Sequence, residues 1–536
     1  MSHAEMIFKN ANIRTMNDNK PKAEALAVAH GKIVFVGDDK EAASFQGPDT
    51  KIVDLDGQTV LPGFSDNHMH ALAYGISLIE VPLSGLTSIK EVVKRVREKA
   101  QTLPRHKWIL GRGWDQNQYV EDRYFNKSDL DEAASEHPVA LIRVCGHVMT
   151  VNSKALEIAG INKDTPDPSG GKIDRDPQTN EPNGILREEA MRMVKQIIPP
   201  YTMEDKKKAL SKAMSEALAV GITSVTTDDA VLAGGVDSCI TLYRNIWDEE
   251  QPAVRAYLLI AGEYLDDLIK SERMTGWGDD RVQVGPLKLF QDGSLGARTA
   301  AMLEPYHDSP DEKGVLIFSQ QELDDIIEKA HKKGMQIAVH AIGDAAITST
   351  LEGIEKAQDK EPKKDCRHRI IHFEVVNEDI LQKTKELGII ADIQPKFLTT
   401  DGDWLDKRLG PERARYACAW KTILERGIPA VGGSDCPVEP FNPLLGIHAA
   451  VTRKVYNSPE DSWMPQEKLS VEEAVKLFTV DGAYGSFDEH KKGSLEKGKL
   501  ADMVVLDKDP WTVEPETIKD INVLMTMVDG DVKYQK

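Results

Sequence analysis

Apolar positions come in short runs at both ends of the chain and in alternating strand and helix patterns between them. Within the first 60 residues, Ile7–Met16, Ala25–His30, Lys32–Gly37 and Lys51–Leu55 are β-rich runs, broken by glycines or by the Asn19-Lys20-Pro21 turn. The last stretch reads the same way. Asp502–Leu506 and Val523–Val528 precede Asp529-Gly530, a hairpin turn leading into Val532-Lys533-Tyr534. Two strand-rich ends around a different middle predict one small β domain built from both termini.

The middle supplies eight apolar strand candidates: Val60–Phe64, Ile222–Thr227, Val254–Ile260, Val284–Phe290, Gln336–His340, Arg369–His372, Ile389–Ile393 and Pro429–Gly432. Helical patterns lie between many of them. Glu322–Lys333 places Leu323, Ile326, Ile327 and Ala330 on one face, with Ser319 and Glu322 at capping-box spacing and Gly334 as the stop. Eight β units with helical crossovers predict a closed (β/α)8 barrel, with a doubly wound open sheet as the alternative. About 100 residues, roughly 88–199, interrupt the alternation with a helix of their own (Ser88–Ala100) and strand-like runs at Trp108–Gly111 and Val139–Val144. They read as an insertion over the barrel mouth.

Composition adds limits. The 536 residues are 40% hydrophobic and 29% charged, which suits a globular chain and excludes disordered, collagenous and coiled-coil classes. The net charge of −20 repels phosphate backbones and anionic lipid, so nucleic acid is not an expected partner. The five cysteines, with no CxxC pair, fit a reduced, cytoplasmic chain. The N-terminus shows no apolar signal core, and no apolar run approaches the ~20 residues of a membrane span.

Chemistry concentrates at the predicted strand ends. In Pro62-Gly63-Phe64-Ser65-Asp66-Asn67-His68-Met69-His70, the two histidines share a parity, so a strand presents both imidazoles on one side. His340 ends one apolar run, His372 ends another, and Asp435 follows Val431-Gly432-Gly433-Ser434. Taken singly, each is as readily a cap or a hydrogen-bonded core group. Together, four histidines and a carboxylate on one barrel rim look like a zinc-type site. Lys288 interrupts an apolar strand, where a buried amine needs neutralising or pairing. Weaker substrate-facing candidates are Trp114 and Asp115, His147, Glu188 and Arg298, the last placed to meet a substrate carboxylate. Cys436 beside Asp435 has no well-placed base to make it a nucleophile. No P-loop, dinucleotide fingerprint or nucleophile elbow is present.

Six segments in order, LPGFSDNHMH (61–70), LKLFQDGSLGARTAAM (287–302), IAVHAIGDAA (337–346), HRIIHFE (368–374), VGGSDCPVEPFNPL (431–444) and KGSLEKGKLADMVVLD (492–507), resemble the amidohydrolase superfamily. Within it they are similar to the amidohydrolase-3 family (YtcJ-like, N-substituted formamide deformylase-like). That resemblance implies an α/β fold: a distorted (β/α)8 TIM-type barrel over 61–480 beside a β-sandwich formed by 1–60 and 481–536. It implies one or two divalent metals, usually zinc. His68, His70, His340 and His372 would be ligands and Lys288 a bridging ligand, carboxylated in many relatives. Asp435 would be the general base and acid. The implied reaction is hydrolysis of a C–N bond (amide, N-acyl or N-formyl) in a small molecule. A deaminase or cyclic-amide hydrolase on the same scaffold is the alternative, and a non-catalytic metal- or metabolite-binding regulator is the alternative from another class. The expected partner is a small-molecule substrate, with no nucleic acid and no membrane, and a homodimer is allowed.

Overall fold

Eight strands pair side by side, all parallel. We label them β1 (Phe64–Met69), β2 (Ile222–Asp228), β3 (Arg255–Ala261), β4 (Val282–Phe290), β5 (Ile337–Ala341), β6 (Arg369–His372), β7 (Ile390–Ile393) and β8 (Ala430–Gly432). Hydrogen bonding runs in unbroken order from β1 to β8. The structure, a computed structural model, describes residues 3–249, 252–456 and 458–536. Strands β3, β4 and β7 are buried on nearly every residue, the pattern of strands covered on both faces.

The seam between β8 and β1 closes by loops and side chains rather than by a ladder. Asn67 Nδ2 donates to Gly432 O (2.7 Å), Asp435 N to His68 O (2.7 Å) and His70 N to Cys436 O (2.8 Å). The result is a nearly closed eight-stranded barrel, as the strand pattern predicts.

One strand differs from its prediction. The apolar run expected as β1, Val60–Phe64, divides. Thr59–Pro62 pairs antiparallel with Met503–Leu506 in a terminal sheet, and the barrel strand is the polar stretch Phe64–Met69. A polar strand can be fully buried when its polar groups are satisfied. Ser65 Oγ donates to Phe478 O, Asp66 accepts from Ser434, and Asn67 donates to Gly432 O and Leu477 O.

Both termini build two further sheets. One has four strands, Lys32–Gly37, Ala25–Ala29, Met6–Lys9 and Lys51–Asp54. The other has six: Asp531–Gln535, Val523–Val528, Met503–Leu506, Thr59–Pro62, Asn12–Arg14 and Lys22–Ala23. Phe8, Ile13, Leu26, Val60, Met503 and Met527 share one buried core. The final hairpin turns at Asp529 and Gly530, with φ of 56° and 81°, the two positive values that a tight hairpin turn requires. A buried ion pair, Arg255 Nε to Asp502 Oδ2 at 2.6 Å, ties β3 to this sheet.

The chain divides into two compact units, Met1–Ala73 with Ser211–Lys536, and Tyr74–Leu210. The second has a mixed six-stranded sheet and two apolar cores of its own. Its helix Ile89–Thr102 starts where Ser88 accepts from Glu91 N. Among the described residues, no helix is long and apolar enough to cross a membrane.

Candidate metal centre

The C-terminal ends of β1, β4, β5, β6 and β8 bring six predicted side chains together. His68, near the end of β1, and His70, just past it, each place Nε2 3.2 Å from Asp435 Oδ1. Lys288 Nζ, on β4 and 1% exposed, lies 3.4 Å from His68 Nε2. His340 Nδ1 and His372 Nε2 are 3.0 Å apart, and the His68 and His372 rings are 5.7 Å apart between centroids. Asp435 adopts φ of 57°, and Gly433 lets its loop approach β1: a Cβ there would stand 2.7 Å from His68 N.

Hydrogen bonds on the far sides of the rings decide what the near sides offer. His340 Nε2 donates to Gly293 O (3.0 Å), so neutral His340 points an Nδ1 lone pair inward. Gln394 Nε2 faces the main-chain oxygen and Oδ1 of Asp392 (3.2 and 3.3 Å), so its Oε1 accepts from His372 Nδ1 (2.8 Å) and His372 Nε2 is also a lone pair. His70 Nδ1 faces Asp228 O (3.3 Å), which turns its Nε2 lone pair toward Asp435. Acceptors therefore face acceptors, and only a proton or a cation between them makes these approaches favourable. Asp435 Oδ1 is buried and makes no well-formed hydrogen bond.

Burial decides between the two for the inner pair. It pulls His340 down to about 4 and His372 well below the imidazole range, with Lys288 and His340 respectively adding to the effect. A proton is not held there at neutral pH, whereas a cation fits. His68 is pulled down to about 3 by burial and then by Lys288. Burial lowers Lys288 against the attraction of Asp228 and Asp435. Asp435 is pulled well below the carboxylate range, against its burial, by His68 and His70, and it raises His70 in return, so at the His70–Asp435 contact a proton and a cation compete for the same place. Neutral imidazoles and an ionised carboxylate are the states a metal binds.

The same accounting rejects a second group of metal-type residues, His331, Cys366 and His368. His368 Nδ1 accepts from Ile337 N, so its Nε2–H donates to His331 Nδ1 (2.9 Å), and His331 Nε2–H donates to Glu361 O (2.8 Å). Every ring nitrogen has a partner of the right kind, and His368 has no lone pair to give.

The substrate-facing candidates fare differently. Trp114 is fully buried, donates Nε1 to Leu141 O and packs on Phe125 and Tyr124, so it is a core residue of the second unit and offers no face to a ligand. Asp115 is paired with Arg143 (2.7 Å). His147 and Glu188 form an exposed pair at 2.9 Å. Arg298 is bound in a fork by Asp308 (3.1 and 2.9 Å), so its guanidinium already has a carboxylate. Cys436 is buried and its thiol is pushed up by burial, which rules it out as a nucleophile. Missing from the sequence reading are Gln394, Arg369 and Asp392 beneath His372, and the rings of Phe290 and Phe397 beside the histidines. Arg369 and Asp392 carried the signal that flags Lys288, a charge inside an apolar strand.

A parallel α/β barrel with its polar cluster on the strands' C-terminal face has the architecture of the barrel enzymes. The chain belongs to the Amidohydrolase family, whose sequence model (Amidohydro_3) matches residues 51–534, and it is a hydrolase. It is 36% identical over 535 residues to YtcJ of Bacillus subtilis (strain 168), covering 99% of each chain. It is 27% identical over 552 residues to the N-substituted formamide deformylase of Arthrobacter pascens, covering 99% of this chain and 98% of that one. The crystal structure of an uncharacterized metal-dependent hydrolase from Pyrococcus furiosus matches with a TM-score of 0.78 and 32% identity, over 95% of this chain and 100% of that one.

Proposed function

We propose that the protein is a metal-dependent amidohydrolase that uses water to cleave the C–N bond of a small amide, N-acyl or N-formyl compound. The observation that carries this reading is the set of inward lone pairs on His340, His372 and His70 around a buried, ionised Asp435. His68 and His70 would hold one divalent cation, zinc by the donor chemistry, with Asp435 beside it, and His340 with His372 a second. Lys288 stands beside His68, where a carboxylated amine would be an anionic ligand to both. Such a cation lowers the pKa of water and polarises a carbonyl. Asp435 accepts the proton of the attacking water and returns it to the leaving nitrogen, as base and then acid. The inner histidines, kept neutral by burial, remain ligands through the cycle.

The barrel rim supports a substrate with an apolar substituent. Among the described residues of the first unit, eight of the ten large apolar side chains that are exposed lie at the end of β4 or in the segments just after β2, β4 or β8. They include Val231, Phe290, Val315, Ile317 and Val438. Three cations after β4 and β7 are already engaged, Arg298 and Arg408 by Asp308 and Lys396 by Glu439 (3.1 Å).

The test is Asp435→Asn on a panel of amides, N-acyl compounds and formamides. Metal content should stay near the parent's while turnover falls by about 10²–10⁴-fold. Turnover equal to the parent's across the panel would overturn the role of Asp435. Ammonia released from an aminated heterocycle, with no member of the panel cleaved, would move the reading to a deaminase.

A further inference from the structure

Below the histidines, a single line of hydrogen bonds crosses the barrel interior. Arg369 Nη2 donates to Asn67 O (2.6 Å), between Asp66 and His68 on β1, and to Asp392 Oδ2 (2.5 Å) on β7. Asp392 accepts from Gln394 Nε2, Gln394 Oε1 accepts from His372 Nδ1, and His372 Nε2 faces His340. All four side chains are at most 5% exposed, so water does not supply alternative partners.

The line has a direction. Arg369 can only donate, so it keeps the carboxylate of Asp392 as an acceptor. An acceptor at Asp392 turns the amide nitrogen of Gln394 toward it and the amide oxygen toward His372. That oxygen fixes the proton of His372 on Nδ1 and leaves Nε2 as a lone pair. Flipping the amide would set its oxygen against two Asp392 oxygens and its nitrogen against the His372 N–H, losing every contact.

We infer that Gln394 is a positioning residue that selects the metal-ligating tautomer of His372, with Arg369 and Asp392 setting its orientation. This rests on the metal-site reading above. Groups that hold a ligand histidine from behind are worth roughly 10–100-fold in metal affinity when removed. The same line also joins the two halves of the site, because its far end grips the β1 main chain beside His68.

The experiment compares the parent, Gln394→Met, Gln394→Glu and His340→Ala, each loaded with Zn2+ and then titrated with a chelator. Retained zinc is read by elemental mass spectrometry and folding by thermal melting. Methionine fills the space and removes both polar atoms. Glutamate shares a proton with Asp392 and still presents a carbonyl oxygen to His372, so it rescues the arrangement. Gln394→Met should release the zinc that His340→Ala also releases, at about 10–100-fold lower chelator, while the zinc on His68 and His70 resists as in the parent. Gln394→Glu should follow the parent. Parent-like zinc retention in Gln394→Met overturns the inference. So does loss of all zinc together with a lowered melting temperature, which marks a merely structural residue. A parent that takes up no zinc overturns the proposed function instead.

Discussion

His372 and His331 are both buried beside a second histidine, and their outer hydrogen bonds give them opposite capacities. A carbonyl-type acceptor behind each member of the His340–His372 pair leaves two lone pairs facing each other, whereas the His331–His368 pair passes one proton along and is complete. Residue type and strand position were enough to single out His340, His372 and Asp435, polar groups at or after the ends of apolar runs, Lys288, a charge inside one, and His68 and His70, two imidazoles of one parity. Gln394 gave no such signal, since its role lies in the partner on either side of one amide. A different buried group gives a prediction in pH. Burial pushes Asp481 up to about 7, against the opposing charge of Lys476. The folded chain keeps that proton where the unfolded chain, near 3.8, has lost it. The stability this provides is complete below about pH 4 and is lost as pH rises toward 7. Asp481→Asn carries no charge, so it should raise the melting temperature by about 1–3 °C more at pH 8 than at pH 5. Equal shifts at the two pH values would show that the carboxyl does not bear this burial.

At the scale of elements, β2 to β8 were legible because strands covered on both faces read as apolar runs. The helix at Gln320–Lys332 was legible from its ends: both reciprocal bonds of the Ser319–Glu322 box are present, and Gly334 follows with φ of 79°. The first barrel strand was not, because hydropathy reports burial only when buried groups are apolar. Ser65, Asp66 and Asn67 are buried by being hydrogen-bonded. The Gly433 loop has its own consequence. A methyl group there meets His68 N at 2.7 Å and His68 Cβ at 3.1 Å, and main chain cannot swing aside as a side chain can. Gly433→Ala should push the β8 loop from β1 and carry Asp435 with it. Turnover should fall by about 10²-fold, the scale of an ångström's misplacement, with the far-UV circular dichroism spectrum unchanged. Parent-like turnover would mean that the seam tolerates the shift.

Across the whole molecule, charge and exposed apolar side chains bear on the proposed substrate. The net charge of −20 opposes the approach of anions, and the apolar side chains after β2, β4 and β8 favour a neutral, hydrophobic substituent. For two amides of equal size, kcat/KM should be at least about tenfold higher for the neutral one than for the carboxylate-bearing one at low salt. The gap should narrow as salt is added and the Debye length falls toward 8 Å. A preference for the carboxylate would show that a cation on the rim is open to substrate after all. The loops after the strands were not legible in detail from sequence, because loops follow no periodicity.

The seam that closes the barrel joins residues 66–70 to residues 432–436. Synthesis runs from one end of the chain to the other, so most of the polypeptide must leave the ribosome before Asp435 can meet His68 and His70. A nascent or prematurely terminated chain that stops short of this segment holds the two histidines but lacks the carboxylate between them. Under the proposed mechanism it can capture no proton from water, so hydrolytic power arrives only with the closing of the last strand.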